Sequence, residues 1–346
     1  MLKTLAIREK VLPENHPAIA TSYNSVGYAY GKLGDHKKEL EYYLKALAIQ
    51  EKVLPENHPA IATSYNSVGY AYGKLGDHKK ELEYYLKALA IQEKVLPENH
   101  PAIATSYNSV GYAYGKLGDH KKELEYYLKA LAIQEKVLPE NHPDIAASYN
   151  NVGYAYYELG EHKKELEYYL KALVIREKVL PENHPDIATS YNNVGYAYYE
   201  LGEHKKELEY YLKALVIREK VLPENHPDIA TSYNNVGYAY YELGEHKKEL
   251  EYYLKALVIR EKVLPENHPD IATSYNNIGA VYMDLKEYKK ALQYLLLATP
   301  IFEQTVPKNN AQLAKLYSRI SRAYANLEDE ENSEKYLKLY QQYNDQ

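Results

Sequence analysis

The 346-residue chain has no cysteine, no tryptophan and only one phenylalanine. The absence of cysteine excludes disulfide bonds and thiolate catalysis, which suits the reducing conditions of the cytoplasm. No apolar run approaches the roughly 18 residues that a membrane-spanning helix needs. The formal net charge of −6 argues against nucleic acid or an anionic membrane as the partner. The chain also lacks a phosphate-binding glycine loop and a unique set of acid, base and nucleophile, so we expect a protein that is not an enzyme and needs no cofactor.

The chain is instead rich in tyrosine, with 42 residues of this type, and in repetition. Six copies of a 42-residue segment fill residues 17–269, of which the first three are unchanged and the next three follow a close variant. Residues 1–16 match the end of a copy, residues 270–311 form a diverged seventh copy, and residues 312–346 are expected to form a capping helix pair. A fixed period of this length predicts a single stacked array over residues 1–346.

Each copy predicts two helices. Pro59 suits the first position of a helix, because its missing N–H has no partner there, and apolar residues then recur three and four positions apart. Gly76 is expected to end this helix in a left-handed conformation, Asp77 to cap the next helix, and Pro97 to stop it. Gly69 lies inside the first helix at a cost of about 1 kcal/mol. Its recurrence in every copy predicts that the partner helix approaches closely at this point.

The order of aromatic, small and glycine positions resembles the tetratricopeptide repeat, and the residues that carry the resemblance are Tyr65, Val68, Gly69, Tyr72, Gly76, Tyr85 and Ala88. The period of 42, the Ala-Leu-x-Ile-x-Glu-Lys run and the closing His-Pro are similar to the kinesin light chain-like class. Helix pairs of this kind predict an all-α, right-handed superhelical solenoid of antiparallel helix pairs.

One pair departs from the family pattern. His78 and Glu81 occupy positions where the family has tyrosine and alanine, and the same two residues recur in all six near-identical copies. Because they are three residues apart on one helix, we expect a hydrogen bond between them, partly buried against Gly69. Such a pair predicts that stability falls as the pH drops through the carboxylate range. A metal site is the alternative, although each copy supplies only two ligands.

The resemblance implies that the first helix of each pair lines a concave groove, which four sets of recurring positions would share. The asparagine ladder is Asn24, Asn66, Asn108, Asn150, Asn192, Asn234 and Asn276. The tyrosine ladder is Tyr28, Tyr70, Tyr112, Tyr154, Tyr196 and Tyr238. The variable ladder is Gly31, Gly73, Gly115, Tyr157, Tyr199 and Tyr241. The charged ladder is Lys32, Lys74, Lys116, Glu158, Glu200, Glu242 and Asp284.

These ladders predict an interaction scaffold that binds an extended peptide or a partner segment. Asparagine offers both a donor and an acceptor to peptide amides, and tyrosine offers flat contact area. Two alternatives stay open. The ladders can tie neighbouring helices together, or the array can be a recently duplicated or designed structural module without a ligand. An N-terminal face without a polar cap adds the possibility of end-to-end self-association.

Overall fold

The computed structural model describes residues 1–305 and 311–344, and over these residues it is built from paired α-helices. The helices are α1 (Leu2–Val11), α2 (Pro17–Lys32), α3 (His36–Val53), α4 (Pro59–Lys74), α5 (His78–Val95), α6 (Pro101–Lys116), α7 (His120–Val137), α8 (Pro143–Glu158), α9 (His162–Val179), α10 (Pro185–Glu200), α11 (His204–Val221), α12 (Pro227–Glu242), α13 (His246–Val263), α14 (Pro269–Asp284), α15 (Tyr288–Thr305), α16 (Ala311–Asn326) and α17 (Glu330–Asn344). We call α2, α4 and the later even-numbered helices the first helices, and their odd-numbered partners the second helices.

The helix boundaries follow from capping chemistry. Pro59 opens α4, and the side chain of His58 caps it by accepting a hydrogen bond from the Ala60 N–H at 3.1 Å. Gly76 has a φ of +80°, the left-handed conformation predicted for it. Asp77 then caps α5 by accepting from the Lys80 N–H at 3.2 Å. The same His-Pro start recurs at each first helix from α2 to α14.

Each core cluster joins the two helices of one pair to the second helix of the preceding pair. In one cluster, Tyr85 and Leu89 of α5 pack against Ile103 and Val110 of α6 and against Ile133 of α7. Equivalent clusters repeat along the chain, so each pair buries its apolar face only against its neighbours. The all-α fold of paired, stacked helices is thereby confirmed.

The glycines inside the first helices are sites of close approach, as predicted. A Cβ atom added to Gly69 would lie 2.8 Å from Cδ1 of Tyr85 and 3.2 Å from the carbonyl oxygen of Glu81. The position therefore excludes any side chain, because the partner helix fills that space.

The chain divides into two compact units, Met1–Val179 and Leu180–Gln346, which are described separately below as the first and second unit. The single array over residues 1–346 and the right-handed course stay predictions. The expected capping pair contains α16 and α17, and α17 begins at Glu330. Parts of the predicted seventh copy and capping pair, at 306–310 and 345–346, lie outside the described residues. Among the described helices, none combines the length and apolarity needed to cross a bilayer.

Candidate functional site: the face of the first helices

In the first unit, predicted ladder residues from two neighbouring copies share one pocket. Tyr70, Gly73 and Lys74 of α4 lie on one side, and Asn108 and Tyr112 of α6 on the other, around a space of about 530 Å³. The carboxyl group of Glu81 forms part of the floor. The four ladders therefore meet on one surface here, as the resemblance implies.

The asparagines of the first three copies have an unused acceptor. The Oδ1 atoms of Asn24, Asn66 and Asn108 are buried and accept no hydrogen bond from the described residues. Ser109 of the next copy does not pair with Asn66, since its hydroxyl donates to the Thr105 carbonyl of its own helix at 3.2 Å. A buried carbonyl without a partner is costly, and a ligand N–H could relieve that cost only if the side chain turned to expose the atom.

In the second unit the same asparagines tie adjacent first helices together. The side-chain amide of Asn235 donates to Oδ1 of Asn192 at 2.9 Å, which joins α12 to α10. Nη1 of Arg319 donates to Oδ1 of Asn276 at 2.9 Å, which joins α16 to α14. At these two positions the asparagines tie neighbouring helices together, which is the first of the two alternatives given for the ladders. Asn234 lines a second, larger pocket, so the ladder serves different contacts in different copies.

The tyrosine and variable ladders make a continuous aromatic strip in the second unit. The rings of Tyr196 and Tyr199 lie 5.8 Å apart, those of Tyr199 and Tyr238 5.4 Å, and those of Tyr238 and Tyr241 5.8 Å. The hydroxyls of Tyr199 and Tyr238 are 3.2 Å apart. In the first unit the corresponding variable position is glycine in three copies, and exposed tyrosines instead lie beneath lysines, with Lys74 Nζ 5.1 Å from the Tyr70 ring centre.

The predicted histidine–glutamate hydrogen bond is confirmed. His78 Nδ1 lies 2.7 Å from Oε2 of Glu81, and the pair recurs at 2.7 to 2.9 Å in the other near-identical copies. The expected location against Gly69 is wrong. The Glu81 carboxyl lies against Gly73, one turn further along α4, because the Tyr85 ring fills the space beside Gly69. No group of three or more candidate ligands within the described residues is arranged to hold a metal ion.

The expected fall in stability on acidification is also wrong for the pairs with a resolved pKa shift. Burial raises the pKa of Glu249 to about 7, although its hydrogen bond with His246 acts in the opposite direction. The neighbouring Asp284 adds to the increase. Burial likewise raises the pKa of Glu123 and of Glu207. Desolvation of the carboxylate therefore outweighs the pairing, and the folded protein favours the protonated acid.

The charged ladder reaches these pairs from the next copy. Glu158 Oε2 lies 3.7 Å from Nε2 of His120, and Glu242 Oε2 lies 3.8 Å from Nε2 of His204. Each of these histidines thus faces a second carboxylate in addition to its own partner. Lys74 and Lys116, at the same ladder position in earlier copies, are exposed.

Sequence reasoning missed three basic residues on the face of α16. Lys315, Arg319 and Arg322 line a pocket of about 720 Å³ together with Tyr238 and Asp284. Their spacing of four and three residues places them on one helical face. They also fall 42 positions after Thr273, Asn277 and Ala280. Alignment of the eighth copy to the groove positions would have identified them, but the weak repeat signal there hid the correspondence.

The comparisons with known proteins agree with this architecture. A tetratricopeptide repeat model matches residues 1–52, 40–94, 60–136, 103–178, 144–220 and 186–262, and two further tetratricopeptide repeat models match residues 271–309 and 314–346. None of these models describes a catalytic family. Among curated proteins, no sequence matches the chain.

Solved structures with a similar fold include three of interest. A putative kinesin light chain from Podosopora anserina with nearly identical TPR-like repeats is 27% identical, with a TM-score of 0.55, over 59% of this chain and 97% of that one. The apo form of RapI is 17% identical, with a TM-score of 0.67, over 94% of this chain and 97% of that one. The apo quorum sensor NprR of B. thuringiensis is 17% identical, with a TM-score of 0.63, over 99% and 92%. The repeat models cover most of the sequence, and the chain belongs to the tetratricopeptide repeat family.

Proposed function

We propose that the chain is a non-catalytic scaffold that binds an extended peptide or partner segment along the face of its first helices. The observation that carries the proposal is the set of buried, unpartnered Oδ1 atoms of Asn24, Asn66 and Asn108. Of the three, Asn108 lines the pocket of the first unit. An asparagine in each copy offers a donor and an acceptor to the amides of an extended backbone.

The geometry of the pocket supports the same proposal. Tyr70 and Tyr112 expose nearly half of their surface, at 48% each, and so offer flat contact area on both sides of Asn108. Aromatic side chains of this kind lose little rotamer entropy when they are covered. The surface combines hydrogen-bond acceptors with hydrophobic contact area, which is the combination that peptide recognition needs.

The test uses a displayed peptide library selected on the intact chain. Binding of the selected peptides to an Asn66→Ala/Asn108→Ala variant should weaken at least about tenfold, as expected for the loss of two hydrogen bonds. The matched control is Asn99→Ala, because the Asn99 side chain instead bonds Lys136 Nζ at 3.4 Å. Equal loss in the control, or no selected peptide at all, would contradict the proposal.

A second candidate, self-association, rests on one surface. Ile7 of α1 is 64% exposed, whereas Ile49, at the equivalent position in the next copy, is only 7% exposed. Met1, Leu2 and Val11 are exposed apolar residues of the same segment. Light scattering over a range of concentrations should then show a mass above that of the monomer, and Ile7→Glu should restore the monomer. A monomeric mass at every concentration would exclude this candidate.

A further inference from the structure

The turns inside the first three helix pairs lie along one edge of the first unit. Each turn joins a first helix to its second helix, at residues 32–38, 74–80 and 116–122, and the three turns have the same sequence. Because these copies stack on one another in the same way, equivalent turns lie side by side. We call the three turns together the turn edge.

A leucine at the tip of each turn is open to solvent. Leu33 is 80% exposed, and Leu75 and Leu117 are each 40% exposed. The glycine that follows leaves the tip uncovered, since a Cβ atom added to Gly76 would meet nothing within 4 Å. The turn edge therefore presents three accessible apolar side chains.

Lysines without a carboxylate partner flank these leucines. In the second copy, Asp77 is engaged by Lys80, with its Oδ2 atom 3.7 Å from Nζ, and Glu81 is buried and bonded to His78. The two other lysines of that turn are exposed and form no ion pair with a residue that the structure describes. The turn edge is therefore positively charged. The lysines of this kind in the three turns are Lys32, Lys37, Lys74, Lys79, Lys116 and Lys121.

The formal charge of the whole chain conceals this edge. The net charge of −6 argues against an anionic membrane for the chain as a whole, but each of the first three copies has five lysines and five acidic residues. Three of those lysines lie in the turn, whereas acids such as Glu93 and Glu98 lie towards the far end of the pair. Copies that stack in one orientation add these charge separations, so the edge is positive although each copy is neutral.

The later copies lack both features. At the position of Lys74 the fourth, fifth and sixth copies have glutamate, which balances the lysines of their turns. The tip residues Leu201 and Leu243 are also more covered than Leu75. Positive charge and an exposed leucine thus occur together, in the same three turns.

We propose that the turn edge binds the surface of an anionic lipid bilayer, with its lysines against the headgroups and Leu33, Leu75 and Leu117 in the interfacial layer. Each lysine near such a surface favours binding, and a bilayer offers apolar volume directly beneath its negative charge. A nucleic acid would pair with the lysines but would give the leucines nothing apolar to enter. This inference goes beyond the proposed scaffold function and does not depend on it.

Vesicle co-sedimentation of the full chain tests the charge of the edge. The wild type should bind vesicles that contain phosphatidylserine at least about tenfold more tightly than vesicles of phosphatidylcholine alone, and high salt should remove the difference. Lys37→Gln/Lys79→Gln/Lys121→Gln should weaken binding to the anionic vesicles at least about tenfold. Equal binding of the wild type to neutral vesicles, or no binding to either kind, would overturn the proposal.

The later copies supply a matched control. Lys163→Gln/Lys205→Gln/Lys247→Gln removes the same three charges from the same turn position, where glutamates already balance them. This variant should bind anionic vesicles as the wild type does. A loss equal to that of the first lysine variant would show that only the net charge of the chain matters, and would contradict a specific edge.

A tryptophan probe tests the position of the leucines. The chain contains no tryptophan, so Leu75→Trp introduces a single reporter at an exposed position. Its emission should shift to the blue on phosphatidylserine vesicles and should be quenched by brominated lipid, whereas Leu201→Trp should show neither change. An unshifted emission from bound Leu75→Trp would exclude entry of the leucines into the interface and overturn the proposal.

Soluble polyanions distinguish a lipid surface from other negative partners. Duplex DNA, polyglutamate and inorganic phosphate are titrated against the vesicle-bound chain, and none should release it at a charge concentration equal to that of the anionic lipid. Release by one of them would assign the edge to a soluble anion instead. Library-selected peptides, followed by fluorescence anisotropy, should bind the first lysine variant and the wild type equally. If these peptides bind but vesicles do not, the membrane inference fails and the scaffold function stands.

Discussion

The first and second units use the same helix pair to build two different surfaces. In the first unit, Ser109 turns back onto its own helix and leaves Asn66 Oδ1 of the preceding copy without a partner. In the second unit, Asn235 occupies the equivalent position and bonds Asn192 of the preceding copy. An asparagine at this position can therefore join two copies, as it does at Asn192, although Asn108 Oδ1 stays without a partner where Asn151 follows it.

A second difference concerns space and charge. Gly73 keeps the pocket of the first unit open, and Lys74 next to it is positive. At the same two positions the second unit has Tyr199 and Glu200, and the tyrosine extends the aromatic strip. A repeat fold can thus keep its core unchanged while neighbouring segments acquire different recognition properties, because these two groove positions lie outside the core clusters.

The largest effect should come from the buried acid of the second unit. Glu249 is only 3% exposed and its pKa is raised from 4.5 to about 7, so it binds a proton more tightly in the folded than in the unfolded state. Its contribution to stability is complete below about pH 4.5 and is lost as the pH rises through 7. Glu249→Gln, which mimics the protonated acid, should therefore be more stable than the wild type at pH 8 by about 2–3 kcal/mol.

Chemical unfolding at pH 8 and pH 5 measures this difference, which should be much smaller at the lower pH. The counterpart Glu81→Gln in the first unit should give a smaller gain at pH 8, because Lys116 rather than an acid occupies the adjoining ladder position. Glu251→Gln, exposed and paired with Lys255 on the same helix as Glu249, serves as the control. A gain at pH 8 that is equal in all three variants would remove the distinction between the units.

The next effect concerns the asparagines. Asn276→Ala removes the acceptor of the partly buried Arg319 and should lower the free energy of unfolding by about 2 kcal/mol, the typical value for a hydrogen bond to a charged group. Asn66→Ala removes a buried acceptor that has no partner, so the free energy of unfolding should not fall, because the cost of burying an unpaired carbonyl disappears. Denaturant titration measures the free energy of unfolding of both variants. Similar losses would show that both asparagines stabilise the fold to the same extent.

Replacing Gly73 of the first unit by tyrosine, the residue at the equivalent position of the second unit, should have an effect of intermediate size on stability. A Cβ atom at Gly73 would contact the Glu81 carboxyl, so Gly73→Tyr must displace that side chain at a cost of about 1 kcal/mol. The new ring should also fill the pocket and reduce peptide binding to the first unit. Thermal melting and the anisotropy assay with library peptides measure the two results, and undiminished binding would show that this pocket is not used.

The smallest effect is expected at the charged ladder. Lys74→Glu removes an exposed contact between Nζ and the Tyr70 ring, and should cost less than about 0.5 kcal/mol. Its effect should appear in binding instead, as a shift of the library-selected peptides toward basic residues. Unchanged peptide selection would mean that the charge of the ladder is merely that of a solvated surface.

Much of the fold could be predicted from the sequence because its signals are local. The helix start at Pro59 and the left-handed Gly76 follow from backbone chemistry that a single copy shows. The bond between His78 and Glu81 follows from helical spacing alone. Its location beside Gly73 does not, because it depends on how far the Tyr85 ring extends into the space beside Gly69.

The site was less predictable for the same physical reason. Whether Asn66 is paired depends on the rotamer of Ser109, and the bond between Asn192 and Asn235 joins residues in different copies. The cations of α16 lie in the copy with the weakest repeat signal, so only alignment to the structure shows that Arg322 replaces a groove tyrosine. Contacts between copies carry this information, and a pattern within one copy does not.

The start of each repeated first helix depends on a histidine cap. His58 accepts the Ala60 N–H through Nδ1, so a residue without an acceptor at this position would remove the cap, worth about 1 kcal/mol. A histidine caps every first helix from α2 to α14 in the same way. From the fourth copy onward an aspartate such as Asp228 also lies in the first turn, 3.8 Å from the capping nitrogen. The opening copies have alanine at that position, so loss of a histidine cap should cost them more than the copies in which a negative charge also favours the helix start.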